Sequence, residues 1–181
     1  MNTRLLGILC IAGSLIAAAG ALFFQVEFLD TDTTLGKVVG LLWAIAAIAG
    51  LIGLILSNGV GSNPVVRAVA SLPIIALTLN TVGNIAQVAG LVSPDSVLLI
   101  FGFLGLMAGM VLVGILTIAA KTWPGWRRFV PLFIILVMIL NGAAGFDNNL
   151  GRALSTGVWA LLGYAVATAE PAPKLAQSPT A

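Results

Sequence analysis

The sequence predicts an all-α, polytopic membrane protein: a bundle of six transmembrane helices with no soluble domain. Three observations favour this class. The chain is 60% hydrophobic and 8% charged, whereas a soluble domain is about 45–50% apolar and about 25% charged. Its 181 residues include 21 glycines, and glycine is more frequent in membrane helices than in soluble ones. Its apolar runs reach about 20 residues, the length that an α-helix needs to cross a bilayer.

Six such runs follow one another along the chain. Their approximate limits are 5–24, 36–56, 65–90, 95–120, 129–145 and 152–169. None of them alternates apolar and polar residues as a strand of a membrane barrel does. Residues 1–170 are therefore expected to form one transmembrane domain, and the polar, proline-containing residues 171–181 are expected to be a disordered cytoplasmic tail.

Turn and cap residues separate the runs in the order that six helices require. These segments are SNGVGSNP at 57–64, SPD at 93–95, KTWPGWRR at 121–128 and FDNNLGR at 146–152. Ser93 is a candidate N-cap for the fourth helix, and Asn149 for the sixth. Inside the third run, Pro73 removes a backbone donor and predicts a kink.

Basic residues are distributed unevenly between the two ends of the predicted helices. Six spans place both termini at one end, which then has Arg4, Arg67, Lys121, Arg127, Arg128 and Lys174, whereas the other end has Lys37 and Arg152. Because cytoplasmic loops carry the excess of Lys and Arg, both termini are expected in the cytoplasm, in a bacterial-type plasma (inner) membrane. The first run also has features of a cleaved signal peptide. Its removal would leave an odd number of spans, so a retained helix is favoured.

The most informative polar stretch is LTLNTVGNIAQVAG at 77–90. Asn80, Thr81, Asn84 and Gln87 fall within one arc of about 120° on a helix, and a polar arc cannot face lipid cheaply. Two interpretations remain open. The side chains either hydrogen-bond neighbouring helices or line a cavity for a small molecule or a lipid.

Asn141 and Asp147 add polar groups near the outer end of the fifth predicted helix. They are candidates for ligand binding if they join the polar arc in one outward-opening vestibule. The alternative is a turn in which Asp147 pairs with Arg152 across five residues.

Small residues line most of the predicted helices, most regularly at Gly102, Gly105 and Gly109. Such a stripe predicts close helix packing. It serves either the bundle itself, a partner membrane protein, or a second copy in a homo-oligomer.

Several kinds of chemistry are excluded by composition. The chain has no histidine and a single cysteine, Cys10, so imidazole ligation, an intrachain disulfide and a cysteine metal cluster are not expected. No metal site, cofactor or catalytic residue is predicted. The net charge of +2 gives no indication of nucleic-acid binding.

The segments GWRRFVPLF at 125–133 and WALLGYA at 159–165 resemble the last two helices of small, uncharacterised six-span bacterial membrane proteins. The resemblance covers about the final quarter of the chain and implies the architecture without an activity.

The predicted function is non-enzymatic: an accessory or scaffold subunit in the plasma membrane, surrounded by the lipid bilayer. The alternative is a small-molecule or lipid carrier that uses a polar cavity around Asn80, Asn84 and Gln87.

Overall fold

A computed structural model describes residues 2–24, 34–93, 96–143 and 148–169 of the chain. All regular structure in these ranges is helical, which confirms the all-α class for them. Their α-helices are α1 (Thr3–Phe24), α2 (Thr34–Leu56), α3 (Pro64–Ala70), α4 (Leu72–Val88), α5 (Val97–Ala120), α6 (Val130–Ala143), α7 (Asn149–Gly157) and α8 (Trp159–Ala167). A 3-10 turn, Gly125–Phe129, leads into α6. Asp147 and the predicted tail lie outside the described residues.

Five helical segments of the described residues are long and apolar enough to cross a membrane. They are Thr3–Phe24, Leu35–Leu56, Pro64–Gln87, Val97–Ala120 and Gly125–Ala143. The sixth predicted run forms two nine-residue helices, α7 and α8, that meet at Val158. Leu161 N donates to Val158 O at 3.1 Å, which is the tighter bonding pattern of a 3-10 turn.

The third run is interrupted at Ser71, between α3 and α4. Pro73 lies in the first turn of α4 and has no N–H to donate to the carbonyl of Val69. The N–H groups of Ile74 and Ile75 both donate to the Ser71 carbonyl oxygen, at 3.0 and 3.2 Å. The helix therefore begins again at this point, next to the proline that predicts the kink.

Two predicted helix caps are wrong. The N-cap of α5 is Ser96, not Ser93, because the helix starts only where the continuous apolar run begins. Ser93 lies one turn earlier and accepts a hydrogen bond from Ser96 N at 3.0 Å. The cap of α7 is Asn148 rather than Asn149, and its Oδ1 accepts from Gly151 N at 2.9 Å.

Helix α1 contacts α2, α7 and α8, and small residues bring these backbones close together. A Cβ built on Gly7 would lie 2.5 Å from Ala167 N and from Gly163 O, and one built on Gly50 would lie 2.6 Å from Cys10 Sγ. Helices α4 and α5 form a second tight pair. Helix α4 of this pair contacts α2, which links the pair to the group formed by α1, α2, α7 and α8. Helix α6 connects α5 to α7 and α8.

One end of the bundle, called the basic end below, consists of residues 2–6, 57–67, 120–129 and 167–169. Thr122 Oγ1 donates to the Asn58 carbonyl oxygen at 2.7 Å, and Arg127 Nη1 donates to the Thr168 carbonyl oxygen at 3.0 Å. These bonds hold three of the segments together. The basic residues of this end are Arg4, Arg67, Lys121, Arg127 and Arg128, whereas the described part of the opposite end has Lys37 and Arg152.

Candidate functional site

The polar side chains of α4 lie on the side of the helix that faces the bundle. Asn80, Thr81, Asn84 and Gln87 are all half-buried. The opposite side of α4 presents large apolar side chains, among them Val82, which is 52% exposed. The helix thus keeps its amides on the side of its neighbours.

Asn80 and Asn84 form a chain of amide hydrogen bonds that leads from α4 to α5. Asn84 Nδ2 donates to the backbone oxygen of Asn80 at 2.8 Å and to its Oδ1 at 3.0 Å. Asn80 Nδ2 donates in turn to the Leu99 carbonyl oxygen at 3.3 Å. Asn80 therefore links the two helices, and Asn84 holds the Asn80 amide in position.

The glycines of α5 contact the same side of α4. A Cβ built on Gly102 would lie 2.7 Å from Asn80 N, and one built on Gly109 would lie 3.0 Å from Pro73 N. A Cβ built on Gly105, between them, would lie 3.1 Å from the Cβ of Ala76 in α4. The structure places all three against α4, so this stripe packs within the chain rather than forming a surface left open to a partner.

Two polar side chains of the α4–α5 pair, Gln87 and Ser96, have no hydrogen-bond partner among the described residues. Both lie at the end of the pair that is opposite the basic end. Ser96 Oγ is buried and has no hydrogen-bond partner among the described residues. The half-buried Gln87 side chain makes no hydrogen bond within the same ranges either. Thr81, by contrast, donates to the Leu77 carbonyl oxygen of its own helix at 2.7 Å.

Asn141 belongs to a different helix contact. Its Nδ2 donates to Ser155 Oγ at 2.7 Å and also to the Gly151 carbonyl oxygen, which joins α6 to α7. Helix α4 packs mainly against α5 and α2, and Asn141 makes no hydrogen bond to the amides of α4. Since Asp147 lies outside the described residues, the vestibule stays a prediction.

A small polar cluster lies where α1, α2 and α8 meet, and in the sequence only the spacing of Cys10 and Ser14 on one face of α1 points to it. Cys10 Sγ lies 3.3 Å from the Trp159 carbonyl oxygen, to which the thiol donates. Ser14 is fully buried, and its Oγ has no hydrogen-bond partner in the described ranges. No group of three His, Cys, Asp or Glu side chains among the described residues could hold a metal ion.

No family model matches the chain, and neither a curated protein nor a solved structure shows significant similarity to it. The fold and the polar contacts define its class on their own. In the described ranges it is an all-helical protein with long apolar helices, and several of its polar side chains hydrogen-bond to neighbouring helices.

Proposed function

We propose that the chain is a multi-pass protein of a bacterial-type plasma membrane, and that it acts without catalysis as an accessory or scaffold subunit of a membrane assembly. The extent of exposed apolar surface supports this. In the most apolar stretch of Pro64–Gln87 only 22% of residues are buried, against 61% for Leu35–Leu56. Such apolar faces need lipid or another apolar chain to cover them. Helices α7 and α8 together supply the sixth crossing.

The proposed orientation has the basic end in the cytoplasm, because Lys and Arg concentrate on that side of membrane proteins. The test uses single cysteines in a Cys10→Ala background. Thr122→Cys lies at the basic end and Ser93→Cys at the opposite end, and both positions are exposed. A membrane-impermeant maleimide added to intact cells stripped of any outer membrane should label Ser93→Cys alone. Labelling of Thr122→Cys alone would reverse the orientation, and recovery of the chain in the soluble fraction would exclude embedding.

The observation that carries the structural role is the bond from Asn80 to Leu99. In lipid, an amide that bonds to a neighbouring helix stabilises the bundle by about 0.6–2 kcal/mol. Asn80 makes that kind of contact, and Asn84 supports it by donating both hydrogens of its amide nitrogen to Asn80. The polar arc thus supports a rigid helix pair rather than a chemical site.

Measurements of the free energy of unfolding test whether Asn80 stabilises the contact between α4 and α5. Asn80→Leu is expected to lower the free energy of unfolding by about 1–2 kcal/mol. The matched control is Thr78→Val, because the exposed Thr78 hydroxyl bonds only to the Ile74 carbonyl oxygen of its own helix, at 2.8 Å, and its loss is expected to have little effect. Equal unfolding free energies for Asn80→Leu and the wild type would contradict the interhelical role.

Native mass spectrometry of the gently extracted protein tests the subunit role. A second protein chain at a fixed ratio is the expected result. A chain that is repeatedly recovered alone would contradict the subunit role, and retention of one small molecule by such a chain would favour a carrier.

The second candidate function, a small-molecule or lipid carrier, is favoured by one observation: the Gln87 side chain and Ser96 Oγ lack hydrogen-bond partners within the described ranges. A neutral hydrogen-bonding ligand at this end of the α4–α5 pair would satisfy them. If a retained molecule is found, Gln87→Leu should abolish its retention while Thr78→Val leaves it unchanged. Retention by Gln87→Leu would exclude this site.

A further inference from the structure

The basic residues of the described ranges lie mostly together. These ranges include seven of the eight basic residues of the chain. Five of the seven basic residues lie at the basic end. Two of these five have acceptors in the structure: Arg67 bonds to Gly61 O at 3.3 Å and to Asn58 Oδ1, and Arg127 bonds to Thr168 O.

Arg128 has no such acceptor. Its guanidinium carbon lies 4.9 Å from the centre of the Phe129 ring, and no hydrogen bond joins the guanidinium to the described residues. Its Nε is buried and has no hydrogen-bond partner among the described residues. The two terminal nitrogens of the guanidinium are not buried. Within the described ranges this guanidinium is a charged, two-pronged donor whose hydrogen-bonding capacity is unused.

A pair of stacked aromatic side chains lies close to Arg128 along the chain. Trp126, two residues away, stacks on Tyr164 with ring centroids 6.1 Å apart and planes at 15°. The two residues are 50% and 48% exposed. Tyr164 lies one turn before Thr168, which is the C-cap residue of α8 and accepts a hydrogen bond from Arg127. Half-exposed Trp and Tyr side chains favour the headgroup level of a bilayer, which places the Arg128 guanidinium at the same depth.

We propose that Arg128, supported by Arg127 and the stacked Trp126–Tyr164 pair, binds the phosphate of an anionic phospholipid headgroup. The guanidinium supplies paired donors to the phosphate oxygens, and the exposed aromatic rings contact the glycerol and the upper acyl chains. Basic residues at a membrane surface attract anionic lipids. This inference rests on the proposed membrane embedding.

The experiment is native mass spectrometry of the purified full chain in detergent, titrated with phosphatidylglycerol or with phosphatidylcholine of the same acyl chains. The wild type should retain phosphatidylglycerol preferentially. Arg128→Gln should lower that preference about fivefold or more. Arg128→Lys keeps the positive charge but loses the paired N–H donors of the guanidinium, so its preference should lie between those of the wild type and Arg128→Gln. Lys37→Gln removes one charge at the opposite end and is expected to bind as the wild type does.

Three outcomes would overturn the proposal. They are equal retention of both lipids by the wild type, an unchanged preference in Arg128→Gln, and an equal loss in Lys37→Gln, which would show that only net charge matters. Competition with sodium phosphate tests whether the site recognises a free anion. If sodium phosphate displaces phosphatidylglycerol at equal concentration, the site binds phosphate itself rather than the lipid. Circular dichroism of each variant in phosphatidylcholine micelles checks the fold. A chain that resists extraction from membranes by alkaline carbonate but shows no lipid preference would leave the proposed function intact and remove only this site.

Discussion

Trp43 and Trp159 meet edge to face, with ring centroids 5.6 Å apart and ring planes at 84°. Both side chains are buried, Trp159 completely. The pair joins α2 to α8 beside the Cys10 thiol of α1, so the last described helix is fixed at one point against the first two. An aromatic pair of this geometry stabilises by about 0.5–1.5 kcal/mol beyond the area that it buries.

The burial of Cys10 predicts that its thiol does not react in the folded protein. The side chain is fully buried and donates to the Trp159 carbonyl oxygen, and a buried thiol cannot reach a bulky reagent. Incubation with a maleimide in mild detergent should leave the mass unchanged, whereas unfolding in sodium dodecyl sulfate should give one adduct. Gly142→Cys in a Cys10→Ala background is the control, because residue 142 is exposed and should react without unfolding. Rapid labelling of folded Cys10 would show that the contact of α1 with α8 is not as described.

The contact of Gly102 with Asn80 predicts a specific intolerance of larger side chains. A methyl group on Gly102 would lie 2.7 Å from a backbone nitrogen, so Gly102→Ala should lower the unfolding free energy by about 1–3 kcal/mol. Gly142→Ala meets nothing within 4 Å and should be neutral or stabilising by up to about 1 kcal/mol, because alanine favours the helix. Unfolding titrations in mixed micelles measure both. Similar effects of the two substitutions would contradict the close packing of α4 on α5.

The bond between Asn141 and Ser155 predicts energetic coupling between α6 and α7. Asn141→Leu, Ser155→Ala and the double variant form a thermodynamic cycle. We expect a coupling of about 0.5–1.5 kcal/mol, since the serine hydroxyl is one of two acceptors of the Asn141 amide. The same cycle between Asn141→Leu and Asn84→Leu should give additive losses, because the two amides belong to different helix contacts. Strong coupling of Asn141 with Asn84 would contradict this separation and favour the predicted vestibule.

The four tryptophans differ in exposure, which predicts how their fluorescence is quenched. Trp126 is 50% exposed, whereas Trp43, Trp123 and Trp159 are 6%, 4% and 0% exposed. Acrylamide should therefore quench mainly the emission of Trp126. Trp126→Phe should remove most of the quenchable signal, while Trp123→Phe, the matched control, should leave it in place. A quenching curve unchanged in Trp126→Phe would contradict the exposed position assigned to its ring.

Some features of the fold follow directly from local sequence. Pro73 interrupts the third run, because the chemistry of one residue removes a hydrogen bond three to four residues away. The cap residues were less predictable. Ser93 and Asn149 have the right side chains, but Ser96 and Asn148 cap the helices, since a cap depends on where the first helical turn forms.

The candidate site was predictable only in part. The periodicity of Asn80 and Asn84 predicts that they share a face of one helix, and they do turn toward the bundle. Nothing local shows that the Asn80 amide reaches Leu99 or that Gly102 lies beneath it. The predicted association with Asn141 is absent from the described contacts, because Asn141 bonds to α7.

The sequence by itself determined which segments are helical and how apolar they are, because helical hydrogen bonds and apolar periodicity are properties of neighbouring residues. The tertiary structure decided which polar groups meet. The pairings of Trp43 with Trp159 and of Asn80 with Leu99 depend on how each helix is rotated about its axis and shifted along it. That rotation and shift result from the close approach of small residues such as Gly7 and Gly102 to backbones elsewhere in the chain.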